Sequence, residues 1–124
     1  MKQVAITNFA NQRVWVIGAS SGIGLALAQR LHMLGATVIV SARQIEALKA
    51  FVRDHPGSIA LPLDVTDRAA VRRCAGAALA DGPLDLVCYC AGHYHAMRAT
   101  AMNLQDMLRH HEVNTVGALH VLDA

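Results

Sequence analysis

Charge and aromatic rings are both scarce in this sequence. Charged residues make up 16% and the formal net charge is +2 over 124 residues, too little of either sign to form an electrostatic footprint for nucleic acid. Aromatics contribute 4% against 54% hydrophobic residues overall. Ala, Val, Leu and Ile supply the bulk, which suits helices packed on a buried sheet. Cysteine occurs three times, an odd number that does not suggest a disulfide framework. No apolar run is long enough to span a bilayer, and Met1 to Ala10 lacks the apolar core of a signal peptide. The expected setting is therefore cytoplasmic, with no membrane partner. Internal repeats, low-complexity tracts and linkers are missing too, so residues 1–124 read as one domain, long enough to bury a proper core.

What is there is an alternation of strands and helices. Arg13 to Ile17 reads as a buried strand, and Thr37 to Ser41 as a second, β-branched one. Between them Ser20 or Ser21 can cap a helix carrying Ile23, Leu27, Leu31 and Leu34 at helical spacing, with Gly35 as its stop. Residues 44–54 form a second helix with Ile45, Leu48, Phe51 and Val52 on one face, broken by His55-Pro56-Gly57. A third strand is expected over 59–63. A third helix, capped by Thr66 or Asp67, runs through Ala80, and a fourth strand covers 84–91. From Asn103 onward the chain reads as one long helix. The order β-α-β-α-β-α-β-α implies an α/β fold: a parallel, doubly wound sheet with right-handed crossovers and strand order 3-2-1-4.

The most informative stretch is VWVIGASSGIG, residues 14–24. Three glycines fall where the first strand turns into the first helix. A helix N-terminus offers unpaired N–H groups and partial positive charge, and a phosphate fits there if no side chain blocks it. Gly18 allows the tight turn, Gly22 lets backbone approach a pyrophosphate, and Gly24 lets helix and strand lie close. That is the logic of dinucleotide binding. The second strand ends in VIVSARQ, with Ala42 where an NAD binder carries a carboxylate and Arg43 next. No acid stands ready to repel a 2′-phosphate, and a guanidinium can hold one through a bidentate contact.

The spacing G-x-x-x-G-I-G resembles that of the short-chain dehydrogenase/reductase family. Three further motifs agree: Asp64 in LDVTD, the CAG of Cys90-Ala91-Gly92 where the family has N-N-A-G, and Asn114 in EVNTVG followed three residues on by Gly117. The resemblance covers the whole chain. It implies a Rossmann-type fold truncated after the family's fifth helix, an alcohol or carbonyl compound as substrate, and a nicotinamide cofactor. The Ser-Ala-Arg arrangement implies NADP(H), with NAD(H) as second choice. The expected cofactor contacts are Gly18, Ser20, Ser21, Gly22, Ile23 and Gly24, then Ser41 and Arg43, Asp64 (against the adenine) and Val65, and Cys90, Ala91 and Gly92. Asn114 matches the family's catalytic asparagine, which helps carry a proton relay through water.

The family's serine and its Tyr-x-x-x-Lys are not matched. Tyr89 is followed four residues later by His93 and Tyr94 by Arg98, and the lysines are Lys2 and Lys49. Two further departures stand inside the matched part. Ile17 replaces the family's threonine, and Tyr89-Cys90 its N-N pair. Where the family has a polar tie between neighbouring strand ends, we expect a packing contact between Ile17 and Cys90.

No metal site is expected. Cys88, Cys90, His93 and His95 are ligand types, but C-x-C on a strand points both sulfurs at one buried face. His93, Tyr94 and His95 read as a loop over the nicotinamide end; His110, His111 and His120 read as surface or interface residues of the last helix. Met97, Met102 and Met107 suit adaptable core or interface positions. Trp15 is expected in the core, with a partner for its N–H. Family members continue the sheet past the fourth strand and use the fifth helix in a dimer interface. The bare strand edge and this helix therefore lead us to expect a homo-oligomer. Three readings compete: the cofactor-binding half of an NADP(H)-dependent oxidoreductase, a dinucleotide-binding module without catalysis, and a truncated product that binds nothing well.

Overall fold

The computed structural model describes residues 8–124; most of the Met1 to Ala10 stretch read above, Lys2 among it, lies outside them. Four parallel strands stand in the order β3-β2-β1-β4. They are β1 (Arg13–Ile17), β2 (Thr37–Ser41), β3 (Ile59–Ala60) and β4 (Leu86–Tyr89). Helices α1 (Gly22–Met33), α2 (Ile45–Asp54) and α3 (Arg68–Leu79) cross between them. After β4 a single 3-10 turn at Ala99–Ala101 leads into α4 (Leu104–His111), which runs through a π-helical turn, Glu112–Val116, into α5 (Gly117–Asp123).

Alternation along the central strands sends side chains to two separate cores. Val14, Val16, Val38 and Val40 pack under Ala28 and Leu31 of α1 and Leu48 and Phe51 of α2. Trp15, Ile17 and Ile39 pack against Val71, Ala75 and Ala78 of α3, with Val113 from the π turn. Burial on both faces explains why these strands read as unbroken apolar runs. Trp15 finds its partner across the sheet: its indole N–H donates to Ser41 Oγ at 2.8 Å.

Four expectations need correction. The third strand is shorter than 59–63: Pro62 has no N–H, and the segment continues along β2 through the amides of Leu61 and Leu63, bonded to the carbonyls of Val40 and Ala42 at 2.9 and 3.0 Å. The fourth strand is shorter than 84–91 and bonds only β1, so Leu86 and Val87 are exposed. Ile23 is not on the packed face of α1; it is 83% exposed, and the buried stripe is Gly24, Ala28 and Leu31. Finally, Ile17 and Cys90 do end neighbouring strands, joined by Cys90 N–H to Ile17 O at 2.7 Å, but their side chains lie on opposite faces. Ile17 is paired in register with Tyr89 and shares its core, whereas Cys90 packs with the α1–α2 core.

Both candidate caps of α3 are in place differently. Asp67 is the N-cap and accepts from Ala70 N–H at 3.0 Å; Thr66 instead donates amide and hydroxyl to Asp64. At α1 the N-cap is Ser21, yet its hydroxyl makes no capping bond.

Candidate functional site

The C-terminal ends of all four strands open into one solvent-facing cleft. It lies where the strand order reverses between β1 and β4, the usual ligand position in such sheets. Its floor is the turn after β1. Gly18 takes φ +90°, open to glycine alone without strain, and a Cβ there would run into the backbone of Cys90 and Ala91. A Cβ on Gly24 would run into the Gly18 carbonyl oxygen. Only glycines at both positions let α1 begin this close to the strand ends. A Cβ on Gly22, at φ +57°, would meet nothing, so bare backbone faces open space there. The first turn of α1 holds no acidic residue and its N-cap hydroxyl is unengaged. No side chain of the cap or the first turn thus competes for these amide groups, the arrangement that favours an anion at a helix N-terminus.

The walls come from the other strand ends. Ser20, Ser21, Ala42, Arg43, Leu63, Asp64, Val65, Cys90, Ala91, Gly92 and His93 line the cleft. Arg43 is exposed and makes no ion pair among the described residues. Asp64 Oδ1 accepts from the Thr66 amide and hydroxyl at 3.0 and 2.7 Å. Burial alone would raise its carboxyl. The two hydrogen bonds and the charges of Arg109 and Arg43 outweigh that and hold it below the ordinary carboxylate range.

Not every expected contact faces the cleft. Ile23 projects into solvent, and Gly24 acts through packing. Ser41 is fully buried, its hydroxyl committed to Trp15 and its carbonyl to the Gly18 and Ala19 amides at 2.8 and 3.1 Å. Its carbonyl supports the turn from below, and its buried side chain does not line the cleft.

Asn114 lies in the π turn, where Gly117 N–H reaches back five residues to Glu112 O. Its side chain clamps the loop after β4: Oδ1 accepts from His93 N–H at 2.7 Å and Nδ2 donates to His93 O at 2.9 Å. Both ends of the amide are thereby fixed on the backbone. Tyr89 donates its hydroxyl to Val113 O in the same turn. Burial, and then the Asp64 charge, push that phenol up, so it stays a donor. A Cβ on Gly117 would lie 2.5 Å from Tyr89 Oη and 2.8 Å from Val65 Cγ2, so a larger residue where α5 crosses the strand ends requires one of those side chains, or the helix, to shift.

The loop after β4 is fastened a second time on α4. His95 Nδ1 pairs with Asp106 Oδ2 at 2.6 Å, and His95 N–H donates to His110 Nε2 at 2.8 Å. His110 is thus more than a surface residue. Among the described residues no group of three or more His, Cys, Asp or Glu stands close enough to hold a metal ion. Cys88 and Cys90 pack against the α1–α2 core, and burial pushes the Cys88 thiol up.

Among the lining residues not anticipated from the sequence are Arg109 and Val113 of the long helix. Their four-residue spacing puts both on one helix face, and Gly117 follows four further on. That stripe, anchored on Asn114's neighbour, was the available signal.

Comparison with known proteins fits this geometry. A family model described as short chain dehydrogenase matches residues 12–124. D-erythrulose reductase of Gallus gallus is 33% identical over 114 residues, covering 92% of this chain and 45% of the relative. L-xylulose reductase of Homo sapiens is 38% identical over 78 residues, covering 63% and 31%. The crystal structure of a variant of actinorhodin polyketide ketoreductase with NADPH superimposes with TM-score 0.86 at 26% identity, covering 91% of this chain and 45% of that one. The chain spans less than half the length of these relatives.

Proposed function

Because the chain belongs to the short-chain dehydrogenase family, we propose that it is the cofactor-binding half of an NADP(H)-dependent oxidoreductase acting on a small alcohol or carbonyl compound. The observation that carries this reading is the pairing of an uncapped, glycine-floored α1 N-terminus with Arg43 at the end of β2, where no carboxylate stands. The α1 amides would hold the diphosphate, Arg43 the 2′-phosphate, and Asp64 and Val65 the base. Ala91, Gly92 and the His93 loop would border the nicotinamide. A bound NADP(H) supplies hydride chemistry; this chain's own residues bind, orient and enclose it. Reductases among the relatives, one of them with NADPH, support the choice. The clamp on His93 makes Asn114 a positioning residue for that loop, and a water relay at its amide requires release of one of those bonds. A cytoplasmic setting and self-association belong to the same proposal.

Calorimetric titration with NADPH and NADH tests it. The unchanged chain should prefer NADPH. Arg43→Ala should cut NADPH affinity about tenfold or more, the worth of a charge-assisted bidentate contact, and leave NADH nearly untouched. Equal affinity for both in the unchanged chain would contradict the NADP(H) assignment.

A further inference from the structure

The cleft contains a second guanidinium, and its surroundings differ from those of Arg43. Arg109 enters from α4, one helical turn before Val113, which packs in one cluster with Leu63 and Val65; all four line the cleft, with Asp64. Its one ion pair among the described residues is with Glu112 on its own helix, at 3.9 Å, the outer limit of such a contact. A pair that long and partly exposed holds the side chain weakly. That packing puts Arg109 at the Asp64 end of the cleft, where its charge helps to hold the Asp64 carboxyl down.

That end has the wrong chemistry for a phosphate and the right one for a base. Leu63, Val65 and Val113 are apolar walls, and Asp64 offers a carboxylate edge that repels an anion but accepts from an exocyclic amine. A planar guanidinium beside such a slot can lie on the face of an aromatic ring, gaining from its quadrupole and from stacking. The gain is blind to what the ribose carries.

We propose that Arg109 is a base-contacting residue whose guanidinium packs on the adenine seated among Leu63, Val65 and Val113, so that it adds affinity common to NADP(H) and NAD(H) while Arg43 alone sets the preference between them. The proposal rests on the dinucleotide reading of the cleft. Arg109 is only partly buried, so Arg109→Leu and Arg109→Gln should both fold; thermal melting verifies this. Each variant of the 124-residue chain is titrated with NADPH and NADH beside the unchanged chain. Expected is an equal loss for both nucleotides, about tenfold, the scale of a partly desolvated cation–π contact. Loss confined to NADPH would make Arg109 a phosphate ligand and overturn the proposal, as would unchanged affinity in a chain that binds. Failure of the unchanged chain to bind either nucleotide would overturn the dinucleotide reading and this proposal with it.

Discussion

At Ser41 one hydroxyl decides whether the tryptophan beneath the cleft is satisfied. Trp15 is nearly fully buried, and its N–H has Ser41 Oγ as partner. Ser41→Ala should leave that donor orphaned and cost about 1–3 kcal/mol in urea unfolding, the scale of a buried unsatisfied group. NADPH affinity of the folded variant should stay within about twofold, because the side chain does not line the cleft. A selective loss of affinity without loss of stability would return Ser41 to the binding surface. Sequence could name Ser41 as near the site, since it ends a strand beside Arg43. It could not say which way the side chain points, because that depends on Trp15 one strand away. Arg109 escaped notice for the opposite reason: an arginine on an amphipathic helix reads as solvated face until the fold brings Asp64 to it.

Among the elements, β1 and β2 were legible to the residue, because a short β-branched run flanked by turn residues and buried on both sides has little alternative. The ends of β3 and β4 were not, since Pro62 and the lack of a second neighbour cut the ladders short. The packed face of α1 was misjudged at its first turn. Its stripe opens on Gly24, which carries no hydrophobic signal, while Ile23 overhangs the sheet ends. The long helix was foreseen as one element, but its π turn was not; a turn of this kind is recurrent at functional sites. Here it presents Asn114 to the His93 loop and the Val113 carbonyl to Tyr89. Gly117→Ala should push α5 off the strand ends, costing about 1–3 kcal/mol as an overpacked contact. Adding Tyr89→Phe, which removes the nearest atom, should recover part of that stability in thermal melts. No recovery would mean that Val65, not Tyr89, sets the spacing.

For the molecule as a whole, the topology β3-β2-β1-β4 followed directly from the alternation of elements, and the site followed from the topology. The fourth strand was anticipated as a sheet edge, and β4 pairs with β1 alone; exposed apolar side chains are Leu86 and Val87 on it and Leu104, Met107, Leu108, Leu119 and Leu122 on the long helix. Apolar side chains so placed on one strand edge and one helix favour association. Sedimentation velocity should show dimers or larger species at micromolar concentration, and a monomer throughout would remove the interface from the account.

The central claim is that the amides opening α1 hold the diphosphate of a nicotinamide dinucleotide. Backbone amide shifts of the labelled chain, followed by NMR as NADPH is added, address it residue by residue. The account predicts the largest shifts at Gly18, Ser20 to Gly24 and Arg43, with a second group at Asp64 and Val65. Saturable shifts confined to other surfaces, or none at all, would contradict it.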